Sequence, residues 1–347
     1  MLKGNFSNFS SFVLRGIDIE VCKHLSSTCQ CISTLKRIYT TMNNVIIADF
    51  DETVTNRDTT CIVGQLPYTL DPKLKPAWSH FVDVYYEHYK KFQSNINSRV
   101  LPLLPLGKET VITDTNFTQL FHAEVDFQTS KRLLELSSTT EIESRNVFKG
   151  VKHEQVRSFV ENNLQGADSL LRPGFSNFIS LVPKDNFHVV SVNWSPEFIR
   201  HVIGDEKIHP HHIACNNLIS DGDEYTGQFT NDLLTGSDKI KVIQQILSYY
   251  DSKESDHCLW YVGDSDTDLL SVLFPNINGV LLIDPIKESK KFQKLTVQLL
   301  GLPQKEMDEF AHDSSLGWYT CCTKQGGKTV YIVKSWNDLQ RLIFGEN

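Results

Sequence analysis

The chain has 347 residues, 40% of them hydrophobic and 22% charged, an ordinary globular composition with enough apolar mass for one large or two modest domains. Its 34 Lys and Arg against 42 Asp and Glu give a net charge of −8, so no basic excess exists to neutralise a nucleic-acid backbone. No run approaches the roughly 18 apolar residues of a membrane-spanning helix, and the eight cysteines form neither paired CxxC zinc spacing nor a small-domain disulfide framework.

Residues 1–43 are Ser/Thr-rich and carry Lys3, Arg15, Lys23, Lys36 and Arg37 against only Asp18 and Glu20. That is a weak transit-peptide composition. A plain N-terminal extension is the other reading, and Met42 is an alternative start. We expect a cytoplasmic protein, or a mitochondrial one if 1–43 acts as a transit peptide. The first strong strand is Val45 to Ala48, an apolar run too short for a helix that stops at acidic residues. Residues 61–165 read mainly helical, with Trp78, Phe81, Val82, Tyr85, Tyr89 and Phe92 recurring at helical steps. Leu101 to Leu106 breaks the pattern with two prolines, and 117–136 and 151–164 resume it. Arg172-Pro173-Gly174 is a turn. Phe187 to Val192 is strand-like, and Ser195-Pro196 is a helix start. Ile208 to Asn217 holds another strand, Asp221-Gly222-Asp223 a hairpin tip, and Lys239 to Tyr250 a helix. His257 to Val262 and Val280 to Ile283 are strands, and 318–323 with 329–333 suggests a hairpin before a closing helix from Ser335. Alternating strands and helices predict a parallel sheet covered on both faces.

Two carboxylate groups carry the chemistry. Asp49-Phe50-Asp51-Glu52-Thr53 lies where the first strand stops, and Gly263-Asp264-Ser265-Asp266-Thr267-Asp268 follows a later one. Carboxyl ends of strands are where open α/β sheets bind ligands. Strand alternation would set Asp49 and Asp51 on one side, where they repel unless a cation lies between them. Mg²⁺, a hard ion that takes oxygen ligands, is the natural cofactor. Asp266 is expected to be solvated or capping. Asp58 and Thr59 either enter a hinge or cap a helix.

These motifs resemble the haloacid-dehalogenase-like superfamily of phosphatases, in its phosphoserine-phosphatase-like branch. The resemblance rests on Asp49, Asp51 and Thr53; on Ser191 ending a strand; on Lys239 ahead of a helix; and on Gly263, Asp264 and Asp268. It spans about residues 43–285 and implies a Rossmann-like three-layer α/β core, 44–60 with 166–300, and an inserted helical cap, 61–165. Residues 1–43 and 301–347 are then N- and C-terminal extensions. Separately, 286–347 is a candidate partner-binding surface. The resemblance makes Asp49 the nucleophile and Asp51 the acid and base. It makes Asp49, Asp51 (through its carbonyl) and Asp264 metal ligands, with Asp268 a ligand or a support. Ser191, Asn193, Lys239 and Thr53 would contact the phosphate, Ser191 being preferred to Ser195, which suits a helix cap. The sequence Ser191-Val192-Asn193-Trp194-Ser195 departs from the Ser-Gly-Gly of that branch. The expected activity is Mg²⁺-dependent hydrolysis of a small phosphorylated metabolite. A phosphomutase and a non-catalytic regulatory scaffold are the alternatives.

Overall fold

A computed structural model describes residues 44–93, 99–104, 114–164, 169–253 and 256–345. The transit-peptide and start-site expectations for 1–43, with Cys22, Cys29 and Cys31, lie outside the described residues. Nine strands are described: β1 (Asn44–Ala48), β2 (Phe187–Ser191), β3 (Ile213–Cys215), β4 (Leu218–Asp221), β5 (Glu224–Phe229), β6 (Cys258–Gly263), β7 (Asn278–Leu282), β8 (Trp318–Thr323) and β9 (Thr329–Val333). Seven of them form one sheet in the order β3-β2-β1-β6-β7-β9-β8, while β4 and β5 make a separate hairpin. All pairings in the large sheet are parallel except β8 with β9. The mixed α/β architecture implied by the motifs is therefore present.

The chain runs outward from β1 through β2 to β3, then returns to place β6 on the other flank of β1. That reversal opens a crevice at the carboxyl ends of β1 and β6, where the two acidic motifs lie. The strands read as continuous apolar runs because both faces are buried. Ile46, Val189, Val262 and Val280 belong to one core, and Val45, Ile47, Val190, Tyr261 and Leu281 to the other.

Between β1 and β2 the chain is helical: α1 (Thr60–Leu70), α2 (Trp78–Gln93), α3 (Asp114–Ser130), α4 (Arg132–Ser144) and α5 (His153–Asn163). In α2 the periodicity buries Phe81 and Phe92, and Tyr85 and Tyr89 join Phe92 in a small cluster with Phe127 and Leu134. The expected single helix over 117–136 is two, interrupted at Lys131. The remaining helices are α6 (Phe175–Ile179), α7 (Pro196–Ile203), α8 (Gly236–Asp251), α9 (Leu269–Leu273), α10 (Ser289–Gln293), α11 (Gln304–His312) and α12 (Trp336–Phe344). Ser195 caps α7, its Oγ accepting from Phe198 N at 3.1 Å.

The C-terminal residues are built into the sheet. β9 lies parallel to β7, and β8 adds the antiparallel edge. Trp336 is fully buried against Phe175 and Phe178, with ring centroids 5.1 and 4.7 Å away. Its indole N–H donates to the carbonyl of Thr53 at 2.9 Å, tying α12 to the first acidic motif. A chain ending at Asp284 loses two sheet strands, and we expect it to show no cooperative thermal transition; a cooperative transition would instead mark 286–347 as a separable surface. Trp336→Ala should cost about 3–5 kcal/mol in a denaturant titration.

Candidate active site

β1 ends at Ala48, so Asp49 and Asp51 stand on a turn beyond the strand rather than on its alternating faces. Asp49 N still donates to Val262 O at 2.8 Å, which stitches the turn to β6. Lys239 sits in the first turn of α8. A capping box starts that helix, with Thr235 N donating to Asp238 Oδ2 at 3.2 Å. Gly236 lets the helix end approach the second acidic loop, since a Cβ there would lie 2.5 Å from Thr267 O.

The Lys239 ammonium is fully buried between two carboxylates, 2.9 Å from Asp49 Oδ1 and 2.7 Å from Asp268 Oδ1. Burial pushes its pKa down, but Asp268 and Asp49 outweigh that and hold it above the usual lysine range. Asp268 is saturated. Oδ1 accepts from Lys239 and from the Tyr261 hydroxyl at 2.6 Å, and Oδ2 accepts from Asp264 N, Ser265 N and Ser265 Oγ. Burial raises its pKa, but Lys239 and the other donors hold it below the ordinary value. Asp49 differs. Burial and the negative charge of Asp268 raise its pKa well above 3.8 despite Lys239, whose ammonium faces its buried Oδ1 at 2.9 Å.

Asp51 is gripped from two elements. Oδ1 accepts from Thr59 N and Thr59 Oγ1 at 2.7 and 2.5 Å, and Oδ2 from Asn193 Nδ2 at 2.9 Å. Burial lifts its pKa to about 6, partly offset by those donors from Thr59 and Asn193. Asp264 accepts from Thr53 Oγ1 at 2.6 Å and pairs through Oδ2 with Lys291. Burial lifts its pKa to about 7 against the pull of Lys291.

The site residues fall into two bonded groups at the strand ends, Asp49, Lys239, Asp268 and Asp264 in one and Asp51, Asn193 and Ser191 in the other, with three corrections. Thr53 is fully buried with its hydroxyl donated to Asp264, so it orients a carboxylate rather than contacting phosphate. Asn193 gives its amide to Asp51 and Thr59, so it positions the acid. Asp266 is neither solvated nor a cap. Lys131 lies 3.0 Å and Arg99 3.6 Å from its carboxylate; burial raises its pKa, but Lys131, Lys294 and Arg99 lower it to about 2. Ser191 is buried, and its Oγ accepts from Asn193 N at 3.1 Å. Sequence reading missed Tyr261, which looked like strand core, and Lys291, which stands 27 residues beyond Asp264.

Asp49, Asp264 and Asp268 each offer one carboxylate oxygen, all three within 4.8 Å of one another. This all-oxygen, acid-rich donor set fits a hard divalent cation. Among the described residues no helix is long and apolar enough to cross a membrane.

No protein-family model matches the chain. It is 45% identical over 313 residues to Cold tolerance protein 1 of Saccharomyces cerevisiae, an alignment covering 87% of this chain and 98% of that protein. The chain belongs to the Cold tolerance protein 1 family. A CTO1 family protein of Schizosaccharomyces pombe is 24% identical over 85% of this chain and 97% of its own length. Among solved structures, a phosphoserine phosphohydrolase-like protein of Francisella tularensis covers 75% of this chain and 95% of itself, at 13% identity and a TM-score of 0.40.

The pKa values set a pH dependence. In metal-free protein, Asp51 and Asp264 keep protons up to about pH 6 and about pH 7, whereas the unfolded chain releases them near 3.8. The folded state therefore binds more protons than the unfolded state in that interval, and these two groups make stability fall as pH rises from about 4 to 7. The depressed groups Asp266 and Asp268 act below that window. His188, which burial holds at about 3, acts in the opposite sense over the same interval. In thermal melts in chelator, Asp264→Asn should therefore make stability fall less, or rise more, from about pH 4 to 7 than in wild type; an unchanged slope would contradict the assignment.

Proposed function

We propose that this chain is a Mg²⁺-dependent phosphomonoester hydrolase for a small phosphorylated metabolite, working through an aspartyl-phosphate on Asp49. The observation that carries the reading is Asp49 itself, a buried carboxylate at a strand end, paired with a buried lysine and with a carboxylate oxygen within 4.8 Å of those of Asp264 and Asp268. The oxygen donors fit magnesium, held by Asp49, Asp264 and the Asp51 carbonyl with Asp268 behind them. When bound, it supplies the positive charge that shields a phosphoryl group from an anionic nucleophile.

The side chains then divide the work. The Asp49 carboxylate attacks phosphorus, and the bond from phosphorus to the leaving oxygen breaks. Asp51, tuned to about 6, delivers its proton to that oxygen and next takes one from water. The water attacks the aspartyl-phosphate, releasing inorganic phosphate and restoring Asp49. Lys239 and Ser191 stabilise charge on the phosphoryl oxygens. Thr59 and Asn193 fix the Asp51 carboxylate, and Thr53 and Tyr261 fix Asp264 and Asp268. The helices of 61–165 act as a cap over the site and select the substrate.

Hydrolysis of a generic aryl phosphate tests the reading. Wild type should turn over with Mg²⁺ and stop with chelator, and Asp49→Asn should be inactive. Asp51→Asn should lose about 10²–10⁴-fold, more with an alkyl than an aryl phosphate, because the poorer leaving group needs the proton more. A folded, Mg²⁺-binding wild type that hydrolyses no phosphomonoester would return the chain to the non-catalytic scaffold reading.

A further inference from the structure

Lys291 touches the candidate metal site from outside the four motifs. It lies on α10, and its Nζ pairs with Asp264 Oδ2 and with Glu52 Oε2 at 2.7 Å, while Glu288 Oε1 stands 3.8 Å away. Asp264 has only two carboxylate oxygens. Oδ1 is taken by the hydroxyl of Thr53, a residue with no solvent exposure. The lysine ammonium sits on Oδ2, so a cation drawn to Asp264 meets a positive charge already seated there.

The two partners differ in freedom. The Asp264 side chain is 1% exposed and Lys291 24%. An ammonium on a four-carbon stem at a site margin can move where a buried threonine cannot. Its fallback is in place: Glu52 is already bonded to it, and Glu288 is fixed nearby by Arg172 Nη2 at 2.5 Å and Asp284 N at 2.9 Å.

We propose that Lys291 is a built-in competitor of the divalent cation. In the metal-free protein its ammonium neutralises the buried Asp264. A cation binding Asp264 displaces it towards Glu52 and Glu288. The pair thereby stabilises the metal-free fold and weakens metal affinity, because binding must first break it. This rests on the magnesium reading of the site, yet it concerns affinity rather than turnover.

The test is calorimetric titration of MgCl₂ into the chelator-treated full chain. Lys291→Met should bind Mg²⁺ about tenfold or more tightly than wild type, since about 1.4 kcal/mol of competing attraction is one decade. Lys290→Met removes the same charge from an exposed neighbour and should leave affinity near that of wild type. Metal-free Lys291→Met should also melt lower than wild type, and Mg²⁺ should raise its melting temperature more. Lys291→Gln is the second variant should Lys291→Met not fold by circular dichroism, with the same direction expected. Equal or weaker Mg²⁺ binding in the Lys291 variant, with binding lost in Asp264→Asn, would overturn the competition and leave the metal site standing. Mg²⁺ binding that is absent in wild type and in the Lys291 variant alike would overturn the metal site and the competition together.

Discussion

The site is organised around one constraint: the Lys239 ammonium has no access to water. A fully buried charge is tolerated only when paired and hydrogen-bonded. Asp49 and Asp268 therefore have to stand where they do, on two different strand ends, and the first turn of α8 has to reach between them. Local chemistry serves that placement. The capping box fixes where α8 begins, Gly236 removes the side chain that would hold it away from Thr267, and Gly263 leaves room for Asp268, whose Cγ a Cβ there would meet at 2.4 Å. Breaking one side of such an arrangement leaves an uncompensated charge, which costs about 3–5 kcal/mol in comparable sites.

The five aspartates of the two motifs divide by their surroundings. Asp268 and Asp266 are surrounded by donors or cations and stay ionised with depressed pKa values. Asp49, Asp51 and Asp264 are buried with too little compensation, and their pKa values are raised. Environments that push like groups apart in this way assign different tasks to the same residue type. A cation would serve Asp49 and Asp264, whereas a carboxyl near 6 serves proton transfer. Lys291 is a partial answer to the same deficit, a single positive charge at the rim of a site that has room for two.

Some of this was legible in the sequence because it is local. An apolar run ending in acids marks both a strand end and its candidate carboxylates, so Asp49, Asp51, Asp264 and Asp268 could be singled out, and Lys239 through the resemblance. What stayed hidden depends on pairing at long range. Tyr261 sits in an apolar strand and reads as core until Asp268 is seen beneath its hydroxyl. The 318–333 hairpin is readable from its two strands and turn, but no local pattern says that β9 docks parallel on β7 or that Trp336 reaches back to Thr53. The roles of Thr53 and Asn193 failed for a different reason. Polar residues near a site are easily taken for substrate contacts, while here their hydrogen bonds go to other site residues.

Alternation within Asp264, Asp266 and Asp268 gives one short loop three attachments. Asp268 points into the core and is locked by Tyr261 and Lys239. Asp266 faces the inserted helices, where Lys131 and Arg99 hold its carboxylate and Gln128 donates to its backbone carbonyl at 3.0 Å. Arg99 is itself fixed by a bidentate pair with Glu124. Asp264 lies between these anchors and carries the candidate metal-ligating oxygen. Any shift of α3 against the sheet must therefore either break the Asp266 clamp or drag the loop, and dragging it moves Asp264 relative to Asp49. The spacing of Asp49 and Asp264 is in this way tied to the seating of the helices, although no residue of α3 is in the candidate metal-binding group.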